Sequence, residues 1–209
     1  MQYVVVLFML VLQMPVNAQV SNQTKSLDAA VMQFNQLGKT DAYQQVYTQF
    51  EQLYALDKTN WLIPYYAGMT RSIMCLLKMG DKDALANDAL LWVRRAKSIM
   101  ANDEVYCAES LAYTAKMSVN PLLRWLTYEG KIKKALSLAK KLNPNNPRVY
   151  VLEANIQHKL PLIFGGGCKS AKPLIQKADL FFSNQTKANS IEPSWGIQSL
   201  VKLKKACPY

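Results

Sequence analysis

His158 is the one histidine of the chain, inside Asn-Ile-Gln-His-Lys-Leu at 155–160. A general base needs a hydrogen-bonding partner within reach, and the surrounding sequence supplies none, so His158 reads as structural or exposed. The run Phe-Gly-Gly-Gly-Cys at 164–168 invites comparison with a phosphate loop. It lacks the Gly-Lys-Ser/Thr ending and a preceding strand. The glycines are better read as widening a turn. Cys75, Cys107, Cys168 and Cys207 show neither Cys-x-x-Cys spacing nor a Cys/His cluster in sequence, so no metal site and no cofactor is expected. Cys168 beside a helix start also has the setting of a reactive thiol. No catalytic constellation emerges, and the chain is read as non-enzymatic.

The arginines and aromatics offer a different chemistry. Arg71, Arg124 and Arg148 can each hold a carboxylate through two parallel hydrogen bonds. Tyr65 and Tyr113 belong to a residue type enriched at protein interfaces. These five are the candidate protein-binding residues. The competing readings are surface ion pairs for the arginines and core packing for the tyrosines.

Helices must position all of these groups. Leu27, Ala30, Val31, Phe34 and Leu37 recur at helical spacing, as do Tyr43, Val46, Tyr47, Phe50, Leu53 and Tyr54. Further helices begin near Trp61, with Pro64 in the first turn, and around Leu85, Ala89, Trp92, Ala96 and Ile99. No useful stretch alternates with a period of two. Glycine precedes alanine by four residues at Gly38/Ala42, Gly80/Ala84 and Gly167/Ala171. The glycines are expected to end the first helix of a hairpin and the alanines to let the second approach closely, with Thr40 or Asp41 capping one helix. The remaining turn is either residues 118–121, with Asn120 as cap and Pro121 at the first helical position, or Gly130 followed by Ala135, and the first is preferred. Leu56, Ile99 and Leu142 align at a 43-residue interval, a periodicity of helical arrays. The expected fold is all-α, with hairpins at about 24–56, 60–100, 103–142 and 146–183 and a capping helix at about 194–206.

This register constrains the cysteines. A 43-residue step places the equivalent of Cys107 at position 64, roughly 16 Å along the axis from Cys75, too far for a bond. If the last two helices are antiparallel, the span from Cys168 to Phe182 matches that from Trp195 to Cys207, favouring a Cys168–Cys207 disulfide. Four reduced, buried thiols are the alternative.

The 209 residues carry a net charge of +11, with half of them apolar and 19% charged. The lysines are scattered through helical segments without an RNP-like strand or zinc-finger spacing, so no nucleic-acid partner is expected. Residues 1–18 have the apolar run and small-residue ending of a signal peptide, with a cut after Ala18. The mature domain, 19–209, is then exported to the periplasm or beyond, with no membrane span.

Ala135, Leu138, Ala139 and the Leu-Asn-Pro-Asn-Asn-Pro junction at 142–147, with Ala67-Gly68 upstream, resemble the tetratricopeptide repeat family. Departures are a period of 43 where the family uses 34, and a junction proline in the third hairpin only. Residues 143–182, with the Gly-Gly-Gly turn and the Pro-x-Trp-Gly segment at 193–196, are similar to small exported tetratricopeptide proteins of Bacteroidota. A more distant resemblance is to helical-repeat periplasmic components associated with substrate transport. The first resemblance implies a tetratricopeptide-like superhelical array, a non-catalytic scaffold that binds a protein or peptide on its concave face; the net charge of +11 is what an acidic partner would match. The alternative implied by the last is a periplasmic small-ligand-binding component serving transport, for which a closed apolar cavity is expected.

Overall fold

The computed structural model describes residues 16–38, 42–185 and 191–208, with side chains from Ser26 onward. All regular structure among them is helical. The helices are α1 (Val16–Gln36), α2 (Tyr43–Leu56), α3 (Leu62–Leu76), α4 (Lys82–Ile99), α5 (Asp103–Ser118), α6 (Pro121–Leu142), α7 (Pro147–Lys159), α8 (Cys168–Ser183) and α9 (Ile197–Ala206), with one 3-10 turn at Leu162–Phe164. The apolar run of residues 3–12 and the candidate caps Thr40 and Asp41 lie outside the described residues. Within the described residues, helix α1 (Val16–Gln36) runs through the expected cut site after Ala18.

Local chemistry explains the starts. The side chains of Asp81, Asn102, Asn120 and Asn146 each accept a backbone N–H in the first turn of α4, α5, α6 and α7. These bonds satisfy donors that a helix start leaves unpaired. Pro121 and Pro147 follow their asparagine caps, where a missing N–H costs nothing. The stop of α3 differs from expectation. Lys78 takes the left-handed conformation, at φ 61°, two residues ahead of Gly80. Lys78 N–H donates to the Cys75 carbonyl and Met79 N–H to that of Met74, the paired bonds of a Schellman motif. Gly80 therefore shapes the connection after the stop.

Consecutive helices pack as antiparallel pairs: α1 with α2, α3 with α4, α5 with α6 and α7 with α8. The odd-numbered helices also touch one another in succession, α1 to α3 to α5 to α7, and so form a continuous inner row. Helix α9 packs on α7 and α8 and covers the last pair. Gly68 shows how close the pairs lie. A Cβ there would sit 2.8 Å from Val93 Cγ2 and 3.2 Å from the Ala89 carbonyl oxygen, so α3 and α4 meet nearly backbone to backbone. Of the expected close-approach alanines, Ala171 is buried, but Ala84 is exposed and permits no such contact.

Two apolar clusters make up most of the interior. One joins α1–α5 through Val31, Phe50, Tyr65, Tyr66, Met69 and Val93. The other joins α5–α9 through Cys107, Leu136, Val149, Ile175, Leu200 and Leu203. Leu111, Tyr113 and Trp195 pack against both. Trp195 lies far from the first cluster in sequence, so the chain returns across the array after α8.

Candidate functional site

The return segment accounts for the expected partner-binding residues of the inner row. Tyr65 and Tyr66 on α3 are fully buried. Trp195 donates from Nε1 to the Tyr65 hydroxyl at 2.6 Å, and the Tyr66 hydroxyl donates to the Ile191 carbonyl at 3.1 Å. Arg148, at the start of α7, donates through Nη2 to the Pro193 carbonyl and through Nε to Glu104 Oε1 at 2.8 Å. Residues 191–196 thus occupy the surface that α3, α5 and α7 offer. Tyr65 and Arg148 do bind a chain segment there, but it is the protein's own.

Glu104 is the centre of this network. Its Oε1 also accepts from Asn146 Nδ2 at 2.7 Å, and its Oε2 from the Tyr65 hydroxyl at 3.1 Å. Burial pushes the Glu104 carboxyl above its ordinary value, against the opposing pull of the Arg148 guanidinium. Burial likewise holds the Tyr65 phenol well above 10, helped by the Glu104 charge. Arg148 is only 4% exposed. It is a structural cation, held by Glu104 and the Pro193 carbonyl of its own chain.

The other candidates are engaged as well. Arg71 Nε donates to Asp88 Oδ2 at 2.8 Å, and its guanidinium lies 3.4 Å from the centre of the Tyr47 ring. Arg124 grips both oxygens of Asp83, at 2.7 and 2.8 Å, and Lys116 adds a third contact at 2.7 Å. Those donors hold the Asp83 carboxyl well below the usual range. Tyr113 is half-buried, its ring 6.1 Å from that of Tyr128. Each arginine holds a carboxylate as guanidinium chemistry suggests, yet each carboxylate is internal.

A cleft of about 570 Å³ opens onto this network, lined by Glu104, Asn146 and Arg148 together with Trp61, Asp103 and Glu192 among others. It is polar, and it is not the closed apolar cavity expected of a ligand carrier.

The cysteines divide into two pairs. Cys168 and Cys207 form a disulfide, with Cα atoms 5.2 Å apart, which ties the start of α8 to the end of α9. Cys75 and Cys107 are free and buried, and burial raises both thiols. His158, on the last turn of α7, stands at the disulfide. Its ligating nitrogen and the two sulfurs lie within 4.8 Å of one another. Residues from positions 158, 168 and 207 therefore form the Cys/His cluster that sequence spacing gave no sign of.

One further feature escaped the sequence reading. Leu122, Leu123 and Leu126, in the first two turns of α6, are 94%, 78% and 92% exposed. Leu162, Ile163 and Phe164 form the 3-10 turn between α7 and α8 and are 79%, 85% and 69% exposed. In an array of antiparallel pairs, the α5–α6 and α7–α8 turns lie at the same end. The segment turns tightly there: a Cβ at Gly166 would fall 2.0 Å from the Leu160 carbonyl oxygen. Trp125 and Tyr128, on α6, and Met117, near the end of α5, are half-buried nearby in sequence. The signal was present as Pro-Leu-Leu-Arg-Trp-Leu at 121–126 and Pro-Leu-Ile-Phe at 161–164, apolar runs where turns are ordinarily polar.

No family model matches the chain, and no curated protein matches it. Among solved structures the chain is similar to the HusA haemophore from Porphyromonas gingivalis, with 28% sequence identity and a TM-score of 0.80 over 89% of this chain and 92% of that one. A haemophore is a carrier and catalyses no reaction, in keeping with the non-enzymatic reading. The expectation of a scaffold that grips a protein or peptide on its concave face is overturned by the likeness to a haemophore, and residues 191–196 bond to Tyr65, Tyr66 and Arg148 of the inner row. What the chain resembles, along almost its whole length, is an all-helical haemophore.

Proposed function

We propose that this protein is an exported carrier of haem or a closely related porphyrin, held on the apolar surface at the α5–α6 and α7–α8 turns. The observation that carries the reading is the likeness to the HusA haemophore, which spans nearly all of both chains. The small-ligand alternative implied by the sequence is therefore the better one, with an open surface in place of a closed cavity. A porphyrin has a broad apolar ring and two carboxylates at one edge. Six strongly exposed apolar side chains, with Lys159 and Lys169 flanking the same turn, match that chemistry. Strongly exposed apolar side chains gathered at helix-pair turns are themselves a mark of a binding surface. The tetratricopeptide-like character of residues 19–209, and removal of residues 1–18 on export, belong to this same reading.

Titration with haemin, followed by the Soret band, tests it. Saturable binding at one ligand per chain is expected. Leu122 and Leu126 are nearly fully exposed, so replacing both with Ser leaves thermal stability almost unchanged. The same change is expected to weaken uptake by on the order of a hundredfold or more, since two leucines at about 1.5–3 kcal/mol each together contribute about 3–6 kcal/mol. A Soret band unaltered by the protein would overturn the reading. Unchanged affinity in the double variant would move the site elsewhere.

A further inference from the structure

We infer that His158, Cys168 and Cys207 form a binding site for a thiophilic divalent ion such as Zn²⁺, available when the Cys168–Cys207 bond is reduced. The site adjoins the α7–α8 turn, since His158 and Cys168 neighbour Lys159 and Lys169 in the chain, but the inference does not rest on the haem reading.

Three elements bring the donors together. His158 comes from the last turn of α7, Cys168 is the first residue of α8, and Cys207 follows α9 directly. All three ligating atoms lie within 4.8 Å of one another. A tetrahedral Zn²⁺ places its sulfur ligands at about 2.3 Å and its imidazole nitrogen at about 2.0–2.1 Å. The donors of such a site are therefore roughly 3.5–4 Å apart. Reaching that geometry requires the two sulfurs to part once their bond is broken and the imidazole to close slightly. Side-chain rotation suffices, because the Cα atoms are already 5.2 Å apart. Cys207 is buried, while His158 and Cys168 are partly open to solvent. The protein thus supplies three ligands and leaves a fourth position for water.

The redox step balances without a hidden partner. A dithiol reductant gives two electrons and two protons to the disulfide, becoming a disulfide itself and leaving Cys168 and Cys207 as thiols. Ion binding then releases those two protons. Two thiolates and a neutral imidazole face a 2+ ion, so the bound site is neutral overall. The disulfide and the ion are exclusive occupants of the same sulfurs. Cys75 and Cys107 do not compete, because both are buried and neither has a histidine beside it.

Co²⁺ reports such a site directly, through thiolate charge-transfer bands and the visible bands of tetrahedral cobalt. The full chain, reduced with a phosphine under anaerobic conditions, is expected to take up one Co²⁺ and release two protons. The oxidised chain is expected to take up none. His158→Ala should weaken uptake about tenfold or more. A Cys168→Ser/Cys207→Ser variant, which keeps Cys75 and Cys107, should abolish the thiolate bands. Circular dichroism recorded in parallel shows whether the reduced chain keeps its helices. Three results would each overturn the proposal: no cobalt bands in the reduced chain, whether or not it stays helical; bands that survive in the double serine variant; or affinity indifferent to His158→Ala.

Discussion

Two arginine–carboxylate pairs share one chemistry and differ in almost everything else. Arg148 and Glu104 meet inside the array, among Asn146, Tyr65 and the Pro193 carbonyl. Arg124 and Asp83 meet at the hairpin tips, where the Asp83 side chain is nearly half exposed. Inside, desolvation dominates and raises the carboxyl. Outside, water bears the cost of charge, and the hydrogen bonds from Arg124 and Lys116 lower it. Burial, more than the pairing itself, sets what each salt bridge does to the fold.

Breaking the inner pair should have the largest effect. Arg148→Ala strands a buried carboxylate and is expected to cost about 3–5 kcal/mol, read as a large fall in melting temperature. Replacing Glu104 with Gln and Arg148 with Met together should recover much of that loss. A melting temperature unmoved by Arg148→Ala would show that Glu104 is neutral or solvated.

The two pairs should also respond to pH with opposite sign. Glu104 has a raised folded value, so its contribution is fully present below its ordinary value of 4.5 and is lost as pH rises through the raised one. Asp83 has a lowered folded value, so its contribution is present above its ordinary value of 3.8 and is lost as pH falls. Urea unfolding from about pH 3 to pH 8 should show the wild type losing stability relative to Glu104→Gln as pH rises, and gaining relative to Asp83→Asn. Parallel slopes would erase the distinction between the regions. The smallest effect belongs to Arg124→Ala, whose melting temperature should stay near that of the wild type because salt and water screen the exposed pair.

How legible this molecule is in its sequence depends on range. Helix starts are local events, and Asn102, Asn120-Pro121 and Asn146-Pro147 announce them within four residues. Leu56, Ile99 and Leu142, spaced in register, are the last residues of α2, α4 and α6. The proximity of Cys168 and Cys207 follows from two helix lengths. What could not be read is long-range. Nothing near Tyr65 says that Trp195, 130 positions away, will cover it. The meeting of His158 with two cysteines depends on how three helix ends converge. The stop at Lys78 was hidden for another reason: glycine is the usual left-handed residue, and here a lysine takes that place beside one.

Arrays of helix pairs ordinarily touch only their neighbours, so they can fray from either end and fold in pieces. The hydrogen bonds from Tyr66 to Ile191 and from Trp195 to Tyr65 bind the third helix to the penultimate stretch of chain. Such a strap raises contact order and slows folding relative to an open solenoid, while making the first and last pairs melt together. A chain cut after Ser183 would then lose more than one helix: its remaining hairpins would unravel over a broader, less cooperative transition.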